Sequence, residues 1–162
     1  MRDHGLIERL ALGAAAGFAG TIAIQGLLMA TQKWLPDFMP PIREEPGEFM
    51  VQKMAQVLPP EMAARVPTAA ETAAAKSLAV GYGLTAGILY TMLHPKADDV
   101  LSDGTALGLG TWAAGYVGWL PALDLIPPLT EQRVTQTVGP VIHHLLFGMA
   151  TVAVYRWLKK FV

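Results

Sequence analysis

Four apolar stretches, separated by polar or proline-rich segments, dominate the pattern of hydrophobic and polar positions along the chain. The clearest is Val134–Tyr155, 22 residues without a formal charge, closed by a basic segment from Arg156 to Lys160. At about 1.5 Å per helical residue it is long enough to cross a hydrocarbon layer of about 30 Å. We therefore predict an all-α membrane protein in which the whole chain, 1–162, forms one bundle of transmembrane helices. The predicted spans are at about 10–31, 77–93, 104–123 and 138–158.

The polar connection 33–76, between the first two spans, contains a short amphipathic segment. Prolines break its first part, and Gly47–Leu58 (GEFMVQKMAQVL) then carries apolar residues on one side and polar residues around the other. Such a pattern predicts a short helix that lies in the membrane interface or covers the mouth of the bundle. Packing of this helix against its own loop is the alternative interpretation.

Two proline-proline motifs indicate an internal repeat. Met39–Glu45 (MPPIREE) is similar to Ile126–Gln132 (IPPLTEQ), and each follows a glycine-rich span. The spans that come next share a seven-residue step from glycine to tyrosine, Gly83–Tyr90 and Gly148–Tyr155. One interpretation is a helix–Pro-Pro-loop–helix unit used twice in parallel, about an axis along the membrane normal. Chance similarity between glycine-rich helices is the other.

Glycines recur within the spans at three- and four-residue spacing, which places them on shared helix faces. Small residues at that spacing allow two helix backbones to approach closely in lipid. We expect the following glycines to form helix–helix contacts: Gly13, Gly17, Gly20, Gly83, Gly87, Gly108 and Gly148.

The composition agrees with a membrane protein and excludes several function classes. Hydrophobic residues make up 52% and charged residues 15% of the chain, against about 25% charged in a soluble domain. A net charge of −1 without a basic stripe argues against binding to nucleic acid. The absence of cysteine removes disulfides, thiolate catalysis and cysteine metal ligands. No hydrolase, zinc or nucleotide motif occurs, so we predict no enzyme activity, no catalytic residue and no metal site.

The basic residues predict an orientation. Because lysine and arginine accumulate in short cytoplasmic segments, we place both termini in the cytoplasm, with the long loop and the second Pro-Pro loop outside. The first apolar stretch is too long for the core of a signal peptide, and we interpret it as a retained helix. The residues on the predicted cytoplasmic side are Arg2, Arg9, Lys96, Arg156, Lys159 and Lys160.

The C-terminal half carries a family resemblance. The segment LPALDLIPPL (Leu120–Leu129), an acidic residue soon after it, and GPVIHHLLFGMATVAVYRWL (Gly139–Leu158) together resemble the YagU-type bacterial inner-membrane family. The glycine-rich first helix is similar to that family as well, whereas segment 33–76 does not follow it. The resemblance implies a location in the bacterial inner membrane and a loose link to acid stress. It implies no defined reaction and no catalytic residues.

Polar side chains in or beside the spans gather toward the predicted outer side: Gln25, Lys76, Asp124, His143 and His144. Successive helical residues point about 100° apart, so the two histidines face different ways. His144 shares a stripe with small and polar residues, and we expect it to face the bundle. His143 is expected at a helix interface or near the headgroups.

Three interpretations of this polar cluster stay open. The residues hydrogen-bond across helices or reach toward the headgroups. Alternatively, His144 titrates near neutral pH in a cavity, with Asp124 or Lys76 as its partner. The third is ligation of haem or chlorin by His144 as a single axial ligand, although no cofactor is predicted.

These features predict an accessory or assembly subunit of a homo-oligomer or of a larger membrane complex. Its partners would be the lipid bilayer and either a membrane protein or a second copy of the chain. The alternative is a small transporter or channel with a proton-sensitive outer vestibule. The scarcity of polar residues in the inner halves of the spans counts against a continuous wet path.

Overall fold

The computed structural model describes residues 5–57, 59, 61, 68–96 and 99–162, and all the regular structure within them is helical. The prediction of an all-α class is confirmed for these residues. Three consecutive helical segments join, so the backbone is helical from residue 100 to residue 122. The helices are α1 (Leu6–Trp34), α2 (Pro46–Ala55), α3 (Thr68–Leu93), α4 (Val100–Trp112), the π-helix Ala113–Trp119, α5 (Leu120–Ala122) and α6 (Val134–Leu158). Single 3₁₀ turns occur at Pro36–Phe38 and Leu129–Glu131.

Side-chain caps set two helix starts that differ from the predicted bounds. The Asp99 carboxylate accepts a hydrogen bond from the Ser102 backbone N–H at 2.8 Å, which starts α4 before the predicted residue 104. The Glu45 carboxylate accepts from the Glu48 N–H at 2.8 Å and starts α2, with Pro46 at the first helical position. The predicted end of this helix, residue 58, lies outside the described residues.

Helix α2 packs on α3 of the bundle. A Cβ at Gly47 would lie only 2.7 Å from the backbone oxygen of Ala75, so glycine permits close approach of α2 to α3. The prediction of a short helix in the first long loop is therefore confirmed for the described residues, and this helix contacts α3.

The long helices are arranged in the order α3, α1, α6, α4 around the bundle, and neighbours run antiparallel. Helix α1 packs on both α3 and α6, and α6 packs on α4, whereas α3 and α4 barely touch. We call the side with the start of α1, the turn at 94–96 and the end of α6 the terminal end. The opposite side, with residues 35–45 and 123–133, is the loop end.

The α1–α3 pair and the α4–α6 pair are built in the same way. A Cβ at Gly87 of α3 would overlap the backbone oxygen of Gly13 and lie 2.8 Å from the N and Cα atoms of Gly17. A Cβ at Gly148 of α6 would overlap the oxygen of Gly104 and lie 2.6 Å and 2.9 Å from N and Cα of Gly108. The two hairpins therefore share one close-packed geometry.

This equivalence corrects the register of the predicted repeat. The sequence comparison aligned Gly83 with Gly148, whereas the contacts make Gly87 the counterpart of Gly148. Gly83 corresponds to His144, because the oxygen of Gly83 faces Gly17 as the oxygen of His144 faces Gly108. The difference of four residues is about one helical turn, so the face is the same and the depth differs.

The two loops of the loop end meet each other. The backbone N–H of Arg43 donates to the oxygen of Leu125 at 2.8 Å, and its guanidinium contacts the carboxylate of Asp124. Leu125 and Ile126, directly before the second Pro-Pro motif, are each 1% exposed. This loop is therefore part of the packed structure, and Asp124 adopts a positive φ of 58° to form it.

A proline inside α6 is compensated by a tyrosine of the π-helix. Pro140 has no N–H, so the carbonyl of Gln136 loses its usual helical donor. The Tyr116 hydroxyl lies 2.8 Å from this carbonyl oxygen and 2.5 Å from the side-chain oxygen of Gln132. The π-helix turns Tyr116 toward α6, where it is 3% exposed.

Among the described helices, α1 and α6 are long and apolar enough to cross a membrane by length and composition. Only 33% and 39% of their most apolar windows are buried, whereas the core helix of a soluble protein would be mostly buried. Large apolar side chains such as Ile7, Ile22 and Met29 of α1 point outward. Membrane association is thus supported by the outward-facing surface of these helices.

Candidate functional site

The site is an open groove between α3 and α4, the neighbouring pair that does not pack. We call it the α3–α4 groove. It contains two cavities, a terminal-end cavity of about 410 Å³ and a loop-end cavity of about 800 Å³. Both volumes fall in the range of about 300–1,000 Å³ that is usual for ligand pockets.

Small side chains line the wall that α4 and the start of the π-helix contribute to the terminal-end cavity. Ala106, Gly110 and Ala114 follow each other at four-residue spacing and are all exposed. A Cβ at Gly110 would meet nothing within 4 Å, in contrast to Gly108, which is packed against α6. Helix α4 therefore has two small-residue faces, one used within the bundle and one free.

The loop-end cavity lies between α1, α3 and the π-helix, and residues at the start of α2 line it as well. Its walls are mostly apolar and aromatic, with Phe147 and Trp119 among them. Polar groups of four different elements converge on it: Gln25 of α1, Glu45 at the start of α2, Ser77 of α3 and His144 of α6. A few polar groups in an apolar cavity are typical of a binding site for an amphiphilic molecule.

The two cavities meet at the middle of the groove, where Tyr82, Thr85 and Thr111 line both of them. The Tyr82 hydroxyl donates to the backbone oxygen of Thr111 at 3.2 Å and so bridges α3 and α4. Nearer the terminal end, the Tyr90 hydroxyl donates to Asp103 at 3.1 Å. Tyrosine hydrogen bonds thus cross the gap that helix packing leaves open, and polar groups extend into the terminal half.

The two histidines of α6 have different roles. His143 is 3% exposed, and its Nε2 lies 2.9 Å from the hydroxyl of Thr31 at the end of α1. His144 is half-buried, and its Nδ1 lies 2.8 Å from the backbone oxygen of Pro140. Because a carbonyl only accepts hydrogen bonds, Nδ1 of His144 carries the proton and Nε2 of a neutral ring stays an acceptor. His143 joins helices, whereas His144 faces the loop-end cavity.

The structure does not bring the rest of the predicted polar cluster to His144. Asp124 is exposed and pairs with Arg43 in the loops, and Lys76 is exposed on α3 outside the lining of both cavities. Their proposed partnership with His144 is therefore replaced by His144 and Gln25 as walls of one cavity. The cluster was predicted only from the depth of these residues along the helices. Their side chains point in different directions, so Asp124 and Lys76 do not join His144.

The predicted packing glycines all lie at helix contacts, and those contacts are within the chain. Gly20 faces Thr151 and Phe147 of α6, and the others form the two hairpins described above. Sequence reasoning missed the free stripe on α4, because it considered glycines and not alanines at the same four-residue spacing. Counting all small residues would have found Ala106, Gly110 and Ala114.

No group of three or more histidine, cysteine, aspartate or glutamate side chains among the described residues could hold a metal ion. Comparisons with protein-family models, curated proteins and solved structures find no match to this chain. The resemblance to the YagU-type family therefore stays a prediction.

Proposed function

We propose that this protein is a small integral membrane protein with four spans that receives a membrane-spanning helix of a partner in its α3–α4 groove. It would act as an accessory or assembly subunit, and not as an enzyme. The observation that carries this proposal is the open groove itself. The other three neighbouring helix pairs are packed, and this pair is not.

Four spans are supported by length and by the outward-facing surface. Besides α1 and α6, the continuous helix from 100 to 122 reaches about 30 Å or more at 1.5 Å per residue. Helix α3 carries exposed Leu89, Met92 and Leu93 on its terminal half. Large exposed apolar surfaces are rare on soluble proteins and fit contact with lipid. We infer that both termini are cytoplasmic from the basic residues, and that the membrane is the bacterial inner membrane from the family resemblance.

A partner helix is supported by the free small-residue stripe on α4. Ala106, Gly110 and Ala114 repeat the spacing by which Gly104 and Gly108 pack on α6. Burial of apolar surface alone does not drive helix association in lipid. Close approach of two helix backbones at small residues does drive it. The same helix thus presents a second face with the composition that binds helices inside this bundle.

The absence of cysteine makes a direct test possible, since any introduced cysteine is unique. We expect Ala106→Cys in the groove to form a disulfide or a bifunctional cross-link in native membranes. Ile22→Cys on the outward face of α1, 58% exposed, is the control and should not react in this way. A product of twice the chain mass identifies a second copy with its own cysteine, and any other mass identifies a different protein.

A blocking variant tests the same surface independently. Gly110→Leu should fill the free stripe and reduce the cross-linked or co-purified complex. Gly26→Leu is the matched control, because Gly26 of α1 also has nothing within 4 Å of its Cβ position. Equal complex formation by both variants, or only monomers in native membranes, would exclude the proposed docking.

A small transporter or channel is the second candidate, and the shared lining of the two cavities favours it. Tyr82, Thr85 and Thr111 connect the loop-end cavity to the Tyr90–Asp103 pair, so polar groups occur along the length of the groove. Proteoliposomes assayed for proton and cation flux at pH 5 and pH 7 test this function. Flux no higher than in empty liposomes at both pH values would exclude transport.

A further inference from the structure

The loop-end cavity has a charge pattern that selects one class of ligand. Of the described residues in its lining, Glu45 is the one with a full charge when His144 is neutral. One oxygen of this carboxylate, Oε2, caps α2 through the Glu48 N–H. Arg43, Lys53 and Lys76 do not line the cavity. Arg43 pairs with Asp124, and the Lys53 ammonium lies over the ring of Phe49.

The rest of the lining is mostly aromatic and apolar. Tyr82, Trp119 and Phe147 come from three different elements and line the same volume of about 800 Å³. Aromatic faces attract cations, and the attraction is greater where water is excluded. A neutral His144 adds an acceptor at Nε2, because Nδ1 donates to Pro140.

We propose that the loop-end cavity binds a hydrophobic monovalent cation, such as a quaternary ammonium or phosphonium compound, with the charge near Glu45 and the apolar groups against the aromatic walls. This site does not rest on helix docking, which concerns the free stripe of α4 in the terminal half of the groove. It adds a ligand class to the transport candidate without requiring that the ligand crosses the membrane.

The test uses two probe ions of the same size and shape with opposite charge. Tetraphenylphosphonium and tetraphenylborate are equilibrated with the full chain in uncharged detergent micelles, and binding is measured by equilibrium dialysis against empty micelles. At pH 8, above the ordinary pKa of histidine of about 6.5, His144 adds no positive charge. We expect saturable binding of the phosphonium and at least about tenfold weaker binding of the borate.

Glu45→Gln removes the charge and keeps an oxygen that can cap α2. We expect it to weaken phosphonium binding about tenfold and to leave borate binding equal or stronger. Glu44→Gln, one residue away and outside the cavity lining, is the matched control and should bind as the original chain does.

Gly81→Leu is a second test of ligand binding, and it does not change a residue that caps α2. Gly81 lines the cavity, and its Cβ position has nothing within 4 Å, so leucine should occupy ligand volume without displacing a helix. We expect phosphonium binding to fall in this variant and not in Gly110→Leu. Equal binding of the two ions, unchanged binding in Glu45→Gln and Gly81→Leu, or no binding above empty micelles would each overturn the proposal.

Discussion

Two glycines of α4 provide a sharp test of the packing described here, because they lie two residues apart and face different surroundings. A Cβ at Gly108 would lie 2.5 Å from the backbone oxygen of His144 and 2.9 Å from its carbonyl carbon. A Cβ at Gly110 would meet nothing within 4 Å. Alanine at the first position should therefore push α4 and α6 apart, and alanine at the second should not.

The magnitude follows from the distance and from the atoms involved. Ordinary contacts begin at 3.4 Å, so α4 and α6 must separate by roughly 1 Å to accept the methyl group of Gly108→Ala. The obstructing atoms are backbone of α6, which cannot rotate away. Overpacking of this kind costs about 1–3 kcal/mol, partly offset by a gain of up to about 1 kcal/mol for alanine over glycine in a helix. Gly110→Ala has the gain without the cost.

Thermal unfolding of both variants in the same mild detergent measures the difference. For a chain of this size, each kcal/mol changes Tm by about 2–4 °C, so Gly108→Ala should melt several degrees below Gly110→Ala. Gly110→Ala should melt at or slightly above the original chain. A Gly108→Ala variant that melts together with Gly110→Ala would refute the close contact between α4 and α6.

Two further predictions concern polar contacts in the bundle. His143→Leu leaves the buried Thr31 hydroxyl without its partner and should cost about 1–3 kcal/mol of stability, whereas His144→Leu should cost less; a larger loss of Tm in His144→Leu would contradict this assignment. Tyr116→Phe removes the hydroxyl that donates to the Gln136 carbonyl and should lower Tm. Adding Pro140→Ala should restore part of this loss, because alanine supplies the helical N–H that Pro140 lacks. If Tyr116→Phe lowers Tm equally in the original chain and in the Pro140→Ala variant, the Tyr116 hydroxyl does not serve this carbonyl.

The helices could be predicted from sequence to a large extent, because uncharged apolar stretches have a physical minimum length and few alternatives. Their ends were less predictable: Asp99 and Glu45 cap helices in front of glycine-rich or proline-containing starts. The π-helix at Ala113–Trp119 has no simple signal in the sequence. Its position becomes understandable only when Tyr116 is seen beside the helix that contains Pro140.

The candidate site was predictable only in part, since spacing along a helix gives depth and not direction. His144 and Gln25 do line one cavity, whereas Asp124 turns to Arg43 in the other loop. Glu45 was not among the predicted site residues, although it caps α2 and lines the same cavity. The groove depends on which pair of helices fails to pack, and no single stretch of sequence carries that information.

The matching glycine contacts of the two hairpins have a consequence for the symmetry of the bundle. Two identical hairpins placed in parallel would form a symmetric dimer with two equal interfaces, and a change in one interface would appear in both. Once a single gene encodes both hairpins, each interface can diverge separately. Here α1 and α6 are packed while α3 and α4 stand apart, so the covalent link that joins the hairpins allows the two interfaces to differ. A symmetric pair of separate hairpins would have the same opening at both interfaces.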